Sequence, residues 1–129
     1  MLIVLGFYKR NPKLTWEEFS QHWQNVHGPM ISNLPIVKRH MKRYIQHHLR
    51  PQTDFEDVQS LDFDGFSETW FENAEARRQI VENPDFVAKV REDDKILLDL
   101  TKVRTIMYDQ QIVEIGPKPV YDGHLVRFV

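Results

Sequence analysis

The stretch that decides the fold is LTWEEFSQHWQNVHGP, which runs from Leu14 to Pro29. Thr15 is followed three positions later by Glu18, and this spacing forms a capping box, in which each side chain accepts a hydrogen bond from the backbone N–H of the other residue. Leu14 before the cap and Phe19 inside the helix form a hydrophobic staple. The sequence therefore predicts a helix that begins directly after Thr15.

One stripe of this helix is apolar and faces a core, because its large side chains recur at helical spacing. They are Trp16, Phe19, Trp23 and Val26. Gly28-Pro29 is predicted to end the helix or bend it sharply, since the residue before a proline disfavours the α region. His22 and His27 are five positions apart, which places them on different faces of an α-helix. His27 lies at the predicted C-terminal end of the helix. A histidine there can serve as a general acid or base, or it can simply cap the helix end by bonding a free carbonyl.

The chain on either side of this helix completes a regular order of elements. Strands are predicted over Leu2–Tyr8, Met41–Leu49, Gly65–Phe71 and Val103–Val113, and a second helical region is capped by Asn73, restarts at Asn83-Pro84 and runs to about Leu97. The order β-α-β-β-α-β predicts an α+β ferredoxin-like fold, with a four-stranded antiparallel sheet and both helical regions on one face. Such a sheet leaves its other face uncovered. We therefore expect a homodimer whose two sheets close into a dimeric α+β barrel.

The rest of the chain is expected to be loop and tail. Residues 50–64 are predicted to form a polar loop. Residues 1–115 are expected to form one domain, followed by a tail over residues 116–129. Pro117 and Pro119 argue against a central strand in the tail, whereas Asp122-Gly123 is a turn signal. The tail is thus either an edge hairpin or a segment that wraps over a partner subunit.

Composition excludes several classes of function. The net charge of −2 gives no attraction to nucleic acid. We interpret the basic run VKRHMKR, from Val37 to Arg43, as a solvated entry to a strand. The chain has no cysteine, so disulfides and thiolate chemistry are excluded and a reducing cytoplasm is the expected location. The apolar run at the N-terminus lacks the basic residues of a signal peptide and is too short to cross a membrane.

The six histidines do not predict a metal site. The sequence has no HxxxH pair and no HExxH motif. His47 and His48 are adjacent on a strand, so their side chains point to opposite faces.

Tyr44 and His48 share one face of the second strand. If the first helix packs on that face, both side chains converge with His27 in a pocket. An aromatic lining for such a pocket is available from Phe7, Trp23 and Trp70. Taken singly, each of these aromatic residues is better explained as a plain core residue, and a pocket needs several of them to surround a space.

Four segments together resemble the EthD family over about residues 1–113. They read FYKRNPKLTWEEFSQHWQNVHGPMISNLP, KRYIQHH, DGFSETWF and DDKILLDL. The family pattern F-x-x-x-W-x-x-x-H-x-P falls on Phe19, Trp23, His27 and Pro29. Members of the family look like dimeric α+β barrels of the ferredoxin-like class. Related barrels include cofactor-free cyclases, dehydratases, monooxygenases and isomerases, which use a pocket between the helices and the sheet of each subunit.

The resemblance implies a small cofactor-independent enzyme that performs proton-transfer chemistry of the isomerase, lyase or dehydratase, cyclase or monooxygenase type. Its substrate would be a small aromatic or polyketide-like compound in a degradation or biosynthetic pathway. His27 becomes the preferred catalytic residue, with Tyr44 and His48 as partners. The alternative is a non-catalytic dimeric protein that binds a small molecule, or an accessory protein for an oxygenase system. Haem-degrading barrels are also related, but they would need a histidine on the second long helix, and residues 49–123 contain none.

Overall fold

The computed structural model describes residues 1–50, 59–122 and 125–128. Its strands are β1 Leu2–Tyr8, β2 Met41–His48, β3 Gly65–Phe71, β4 Arg104–Tyr108, β5 Pro119–Asp122 and β6 Leu125–Phe128. Its α-helices are α1 Trp16–His22, α2 Gly28–Ser32, α3 Pro35–His40, α4 Ala74–Val81, α5 Pro84–Phe86 and α6 Glu92–Leu97. Two π-helical turns, Trp23–His27 and Val87–Arg91, connect α1 to α2 and α5 to α6.

The main sheet has the predicted ferredoxin-like topology. Its four strands lie in the order β2-β3-β1-β4, and every neighbouring pair is antiparallel. β1 and β3 have the predicted bounds. β4 ends at Tyr108 instead of Val113, because Tyr108 already pairs with Ile3 near the start of β1 and little of that strand remains to pair with later residues.

The strand alternation separates two faces of the sheet. The face that packs against the helices carries Val4, Gly6 and Tyr8 of β1, and across the ladder Ser67 and Thr69 of β3. The side chains between them point to the opposite face, which we call the outer face. It carries Ile3, Leu5, Phe7, Phe66 and Trp70.

The capping box at the first helix is confirmed, with Thr15 and Glu18 each accepting from the other's backbone N–H. Gly28-Pro29, however, does not end the helix. The backbone keeps helical angles through His27 and Gly28, and α2 continues to Ser32. Pro29 lies in the first turn of α2, where a proline is tolerated. The preceding π turn is closed by the Gly28 N–H, which bonds five residues back to the Trp23 carbonyl.

At Gly28 the side chain of Gln46 comes close to the backbone of the helix. A Cβ added there would lie 2.7 Å from Nε2 of Gln46, which donates a hydrogen bond of 2.8 Å to the carbonyl of Trp23. The strand β2 is thereby tied to the π turn through a side-chain amide.

The second helical region begins as the sequence predicts. Asn73 caps α4 by accepting from the Ala76 N–H, and Asn83 caps α5 by accepting from the N–H groups of Asp85 and Phe86. The region then passes through its own π turn into α6.

Two buried clusters join the helices to the sheet. The larger cluster includes Val4, Ile31, Phe71, Ile80 and Phe86. The smaller one is Phe19, Trp23, Leu97 and Leu98. Both clusters lie on the helix side of the sheet, and the space between them is the cavity described below.

The tail forms the hairpin β5–β6, and it contacts the outer face of its own sheet. The ring of Phe128 meets Trp70 edge-on at 5.9 Å, and the Arg43 guanidinium lies 4.4 Å from the centre of the Phe128 ring. A contact with a partner subunit and the domain division at residue 115 stay predictions. Most of the predicted polar loop, residues 51–58, and Gly123 of the predicted turn lie outside the described residues.

The helices in the described ranges are all too short or too polar to cross a lipid bilayer.

Candidate active site

A cavity of about 320 Å³ lies between the helices and the sheet. Its apolar wall includes Val4, Ile31, Phe86 and Val90. Its polar groups come from both helical regions and from all four strands of the main sheet. This combination of an apolar wall with a few convergent polar groups is typical of a small-molecule site.

His27 lines this cavity and is only 5% exposed. Its Nδ1–H donates to Oδ2 of Asp93 at 2.7 Å. Its Nε2 lies 3.5 Å from Oδ1 of Asp94, which also lines the cavity. The bond to Asp93 fixes the orientation of the ring and leaves Nε2 as the nitrogen available for proton transfer.

The π turn brings His22 and His27 to the same side of the helix, contrary to the sequence prediction. An α-helix rotates about 100° per residue, so a separation of five residues leaves two side chains about 140° apart. The wider π turn removes most of that angle. Nε2 of His22 therefore also reaches Asp93, at 2.9 Å from Oδ1. One buried carboxylate holds both imidazoles.

Asp94 is the second acid of the site. Burial raises the pKa of its carboxyl above the usual value, although His27 and Arg91 oppose this rise. The Arg91 guanidinium approaches Oδ2 of Asp94 at 3.4 Å and lies half exposed at the rim. A carboxyl with a raised pKa beside a buried histidine is a common feature of acid–base sites.

Replacing Asp94 with asparagine is expected to raise the free energy of unfolding near neutral pH. Because the pKa of Asp94 is raised on folding, the native protein binds more protons than the unfolded chain once the pH exceeds the unfolded pKa of 3.8. Stability from this group is therefore complete below that pKa and falls as the pH rises through the folded pKa. A tenfold change in the acid dissociation constant of one group corresponds to about 1.4 kcal/mol.

Urea denaturation of both proteins between pH 4 and pH 7 measures this effect. The advantage of Asp94→Asn should shrink steadily as the pH falls. An advantage that is equal at both ends of the range would contradict the assignment.

Two tyrosines supply neutral hydroxyl donors to the cavity. Burial raises the pKa of Tyr44 to about 12 and also raises the pKa of Tyr8, so both stay protonated at physiological pH. The Tyr44 oxygen accepts from Gln46 at 3.0 Å, which leaves its own O–H free to donate to a ligand. Tyr8 pairs with the Ser67 hydroxyl at 2.9 Å. An oxygen that gains negative charge in the cavity would find donors here.

His48 lies behind the cavity wall and does not line it. Its ring packs against Trp23 with a centroid distance of 4.5 Å and a tilt of 38° between the two ring planes. Nε2–H donates to the Gln46 carbonyl oxygen at 2.9 Å, and the Ser20 hydroxyl lies 2.7 Å from Nδ1. Burial, together with His47, lowers the pKa of His48 and favours this neutral ring. His48 can thus orient Gln46 and, through it, Tyr44.

The structure places four of the six predicted site residues together and separates the other two. His27, Tyr44 and Trp23 line the cavity, with His48 directly behind Trp23. Phe7 and Trp70 were predicted to line it, and this is wrong. Both side chains point to the outer face, where Phe7 stacks on Phe66 and Trp70 donates to Glu68.

Within the described ranges, no group of three or more histidine, cysteine or acidic side chains is arranged to hold a metal ion.

The EthD domain family matches this chain over residues 11–101 of its 129. The chain belongs to the EthD family.

Two curated proteins share similarity with this EthD protein along most of their length. Decarboxylase claH of Passalora fulva is 27% identical over 128 residues, which cover 88% of this chain and 81% of the relative. Decarboxylase AgnL1 of Paecilomyces divaricatus is 28% identical over 124 residues, which cover 89% and 81% respectively.

Solved structures share the fold of this EthD protein. An EthD family protein from Bacillus halodurans superposes with a TM-score of 0.63 at 14% identity, over 86% of this chain and 99% of the other. A dimeric ferredoxin-like protein of unknown function from Bacteroides fragilis gives a TM-score of 0.61 at 11% identity, over 84% and 95%.

Sequence reasoning missed the acidic half of the site in this EthD protein. Asp93 and Asp94 occupy core-facing positions between Val90 and Leu97 of the second helical region. At those positions an apolar side chain is the rule, and a buried acid needs a partner. The signal in the sequence was therefore the pair Asp93 and Asp94, which stands at helix positions where the spacing predicts buried hydrophobic residues.

Proposed function

We propose that this protein is a cofactor-independent decarboxylase of a small aromatic or polyketide-like carboxylic acid, with His27 as the general acid. The observation that carries the proposal is the buried His27–Asp93 pair, whose imidazole lines a cavity that combines an apolar wall with a few polar groups. Two relatives that are named decarboxylases support the proposal, because each is similar to this chain over most of its length.

The chemistry requires one proton and a place for one electron pair. The bond from the carboxylate carbon to its neighbouring carbon breaks, and carbon dioxide leaves. The electron pair stays on the neighbouring carbon and is delocalised onto an adjacent carbonyl or phenolic oxygen. A proton from Nε2 of His27 then completes the new C–H bond.

The cavity supplies what this reaction needs. The hydroxyls of Tyr44 and Tyr8 are donors for the developing oxyanion, and their raised pKa values keep their protons in place. The apolar wall favours conversion of a charged carboxylate into neutral carbon dioxide, since charge is costly in such surroundings. Asp93 stabilises the imidazolium form of His27 that donates the proton.

The test is an assay of the purified protein in D2O with ortho-hydroxyaryl and β-keto carboxylic acids. We expect release of carbon dioxide and one deuterium in the product at the carbon that bore the carboxylate. The reaction should persist in EDTA and without oxygen. Ligand binding with no product from any acid would instead identify a carrier, and turnover that consumes oxygen without carbon dioxide release would identify a monooxygenase.

We also expect a cytoplasmic homodimer that associates through the outer faces of two sheets. Ile106, which pairs with Leu5 across the outer face, is 49% exposed in the single chain. Burial of this face would complete the α+β barrel. Light scattering should give twice the chain mass of 15.5 kDa, and a monomer at micromolar concentration would refute the expectation.

A further inference from the structure

Arg77 of α4 lines the same cavity as His27 and is half-buried there. In the described part of the chain, no side chain forms an ion pair or hydrogen bond with its guanidinium. The next residue along the helix behaves differently, because Arg78 pairs with Glu75 at 2.6 Å on the exposed surface. Arg91, the other arginine that lines the cavity, does have a partner, because its guanidinium approaches the Asp94 carboxylate.

A half-buried guanidinium without a counter-ion is unusual next to an apolar wall, because a buried charge is costly unless it is paired. Phe86 and Val90, which line the cavity with Arg77, offer no acceptor, and the acid that lines it, Asp94, approaches Arg91 instead. A guanidinium presents a planar fork of donors that matches a carboxylate in two parallel hydrogen bonds. An anionic ligand would supply the missing partner.

We propose that Arg77 binds the ionised carboxylate of the ligand, so that the cavity selects planar apolar acids as anions over their neutral counterparts. This inference rests on the proposed function in taking a carboxylic acid as the substrate. The charge that Arg77 binds is present in the substrate and disappears as carbon dioxide forms. Arg77 therefore stabilises the bound substrate more than the transition state, so that it contributes to substrate affinity and does not accelerate the chemical step. Its contact is lost in the product.

The test uses two probes of nearly equal shape, 1-hydroxy-2-naphthoic acid and 1-hydroxy-2-naphthamide. Quenching of tryptophan fluorescence reports their binding, since Trp23 lines the cavity. The wild-type protein should bind the acid more tightly than the amide. Arg77→Gln should weaken binding of the acid ~10- to 100-fold and leave binding of the amide unchanged. Arg78→Gln, the matched control, should change neither.

Arg77→Lys keeps the charge without the planar fork, so it should recover part of the affinity for the acid. The inference is overturned if wild type does not prefer the acid, or if Arg77→Gln weakens acid and amide equally. Chromatography of each titrated sample shows whether the acid was consumed. Acid-selective binding that depends on Arg77, without carbon dioxide release from any acid, would refute the decarboxylase and leave this inference standing.

Discussion

Replacing His27 with glutamine is expected to lower kcat for decarboxylation by about 10²- to 10⁴-fold, the usual cost of removing a general acid or base. Glutamine is close to histidine in size and can still donate to Asp93, so the helix should keep its position. It cannot deliver a proton from Nε2 to a carbanion. Substrate affinity should change little, because the missing interaction belongs to the transition state.

Stopped assays of carbon dioxide release, with circular dichroism as a check of folding, measure this effect. His40→Gln is the matched control, since His40 belongs to α3 and does not line the cavity. A folded His27→Gln protein with wild-type turnover would remove His27 from the mechanism.

Replacing Asp93 with asparagine is expected to lower kcat by an amount on the order of 10²- to 10⁴-fold, comparable to the loss of His27. The carboxylate accepts from both His22 and His27, whereas an amide has only one acceptor oxygen. A buried acid that orients a catalytic imidazole has an effect of this size because it sets the ring's tautomer and supports its positive charge. The asparagine variant keeps the shape and loses the charge.

Non-additivity distinguishes this role from a purely structural one. The double variant His27→Gln/Asp93→Asn should be no slower than His27→Gln alone, because residues that act as a unit lose their effect together. Asp85→Asn, which changes an exposed acid of α5, is the control. Independent losses that multiply in the double variant would show that Asp93 acts elsewhere.

The capping box at Thr15, the cap at Asn73 and the composition and alternation of the four strands predicted the order of elements, and that order predicted the fold. All of these are local signals, and each makes a statement about neighbours in sequence. Alternation also placed Tyr44 and His48 on one face of β2 correctly. It could not say which face of the sheet the helices cover, and for that reason Trp70 was assigned to the cavity although it lies on the outer face.

The candidate site was only half predictable, and the π turn at Trp23–His27 explains the missing half. Helical periodicity assumes 3.6 residues per turn, and under that assumption His22 and His27 point apart. The turn departs from this period because tertiary contacts favour it, including the bond from Gln46 to the Trp23 carbonyl. The sequence could mark Asp93 as an acid at a core-facing position, but its contact with both histidines became visible only in three dimensions.

A π turn differs from an α-helical turn by one extra residue, which gives the segment around His27 an evolutionary consequence. Loss of a single codon between Trp23 and His27 would restore the α-helical period and turn a different side chain toward Asp93. An insertion or deletion of one residue in this segment would then replace the side chain that contacts Asp93, whereas a point substitution elsewhere in the helix would leave that contact in place.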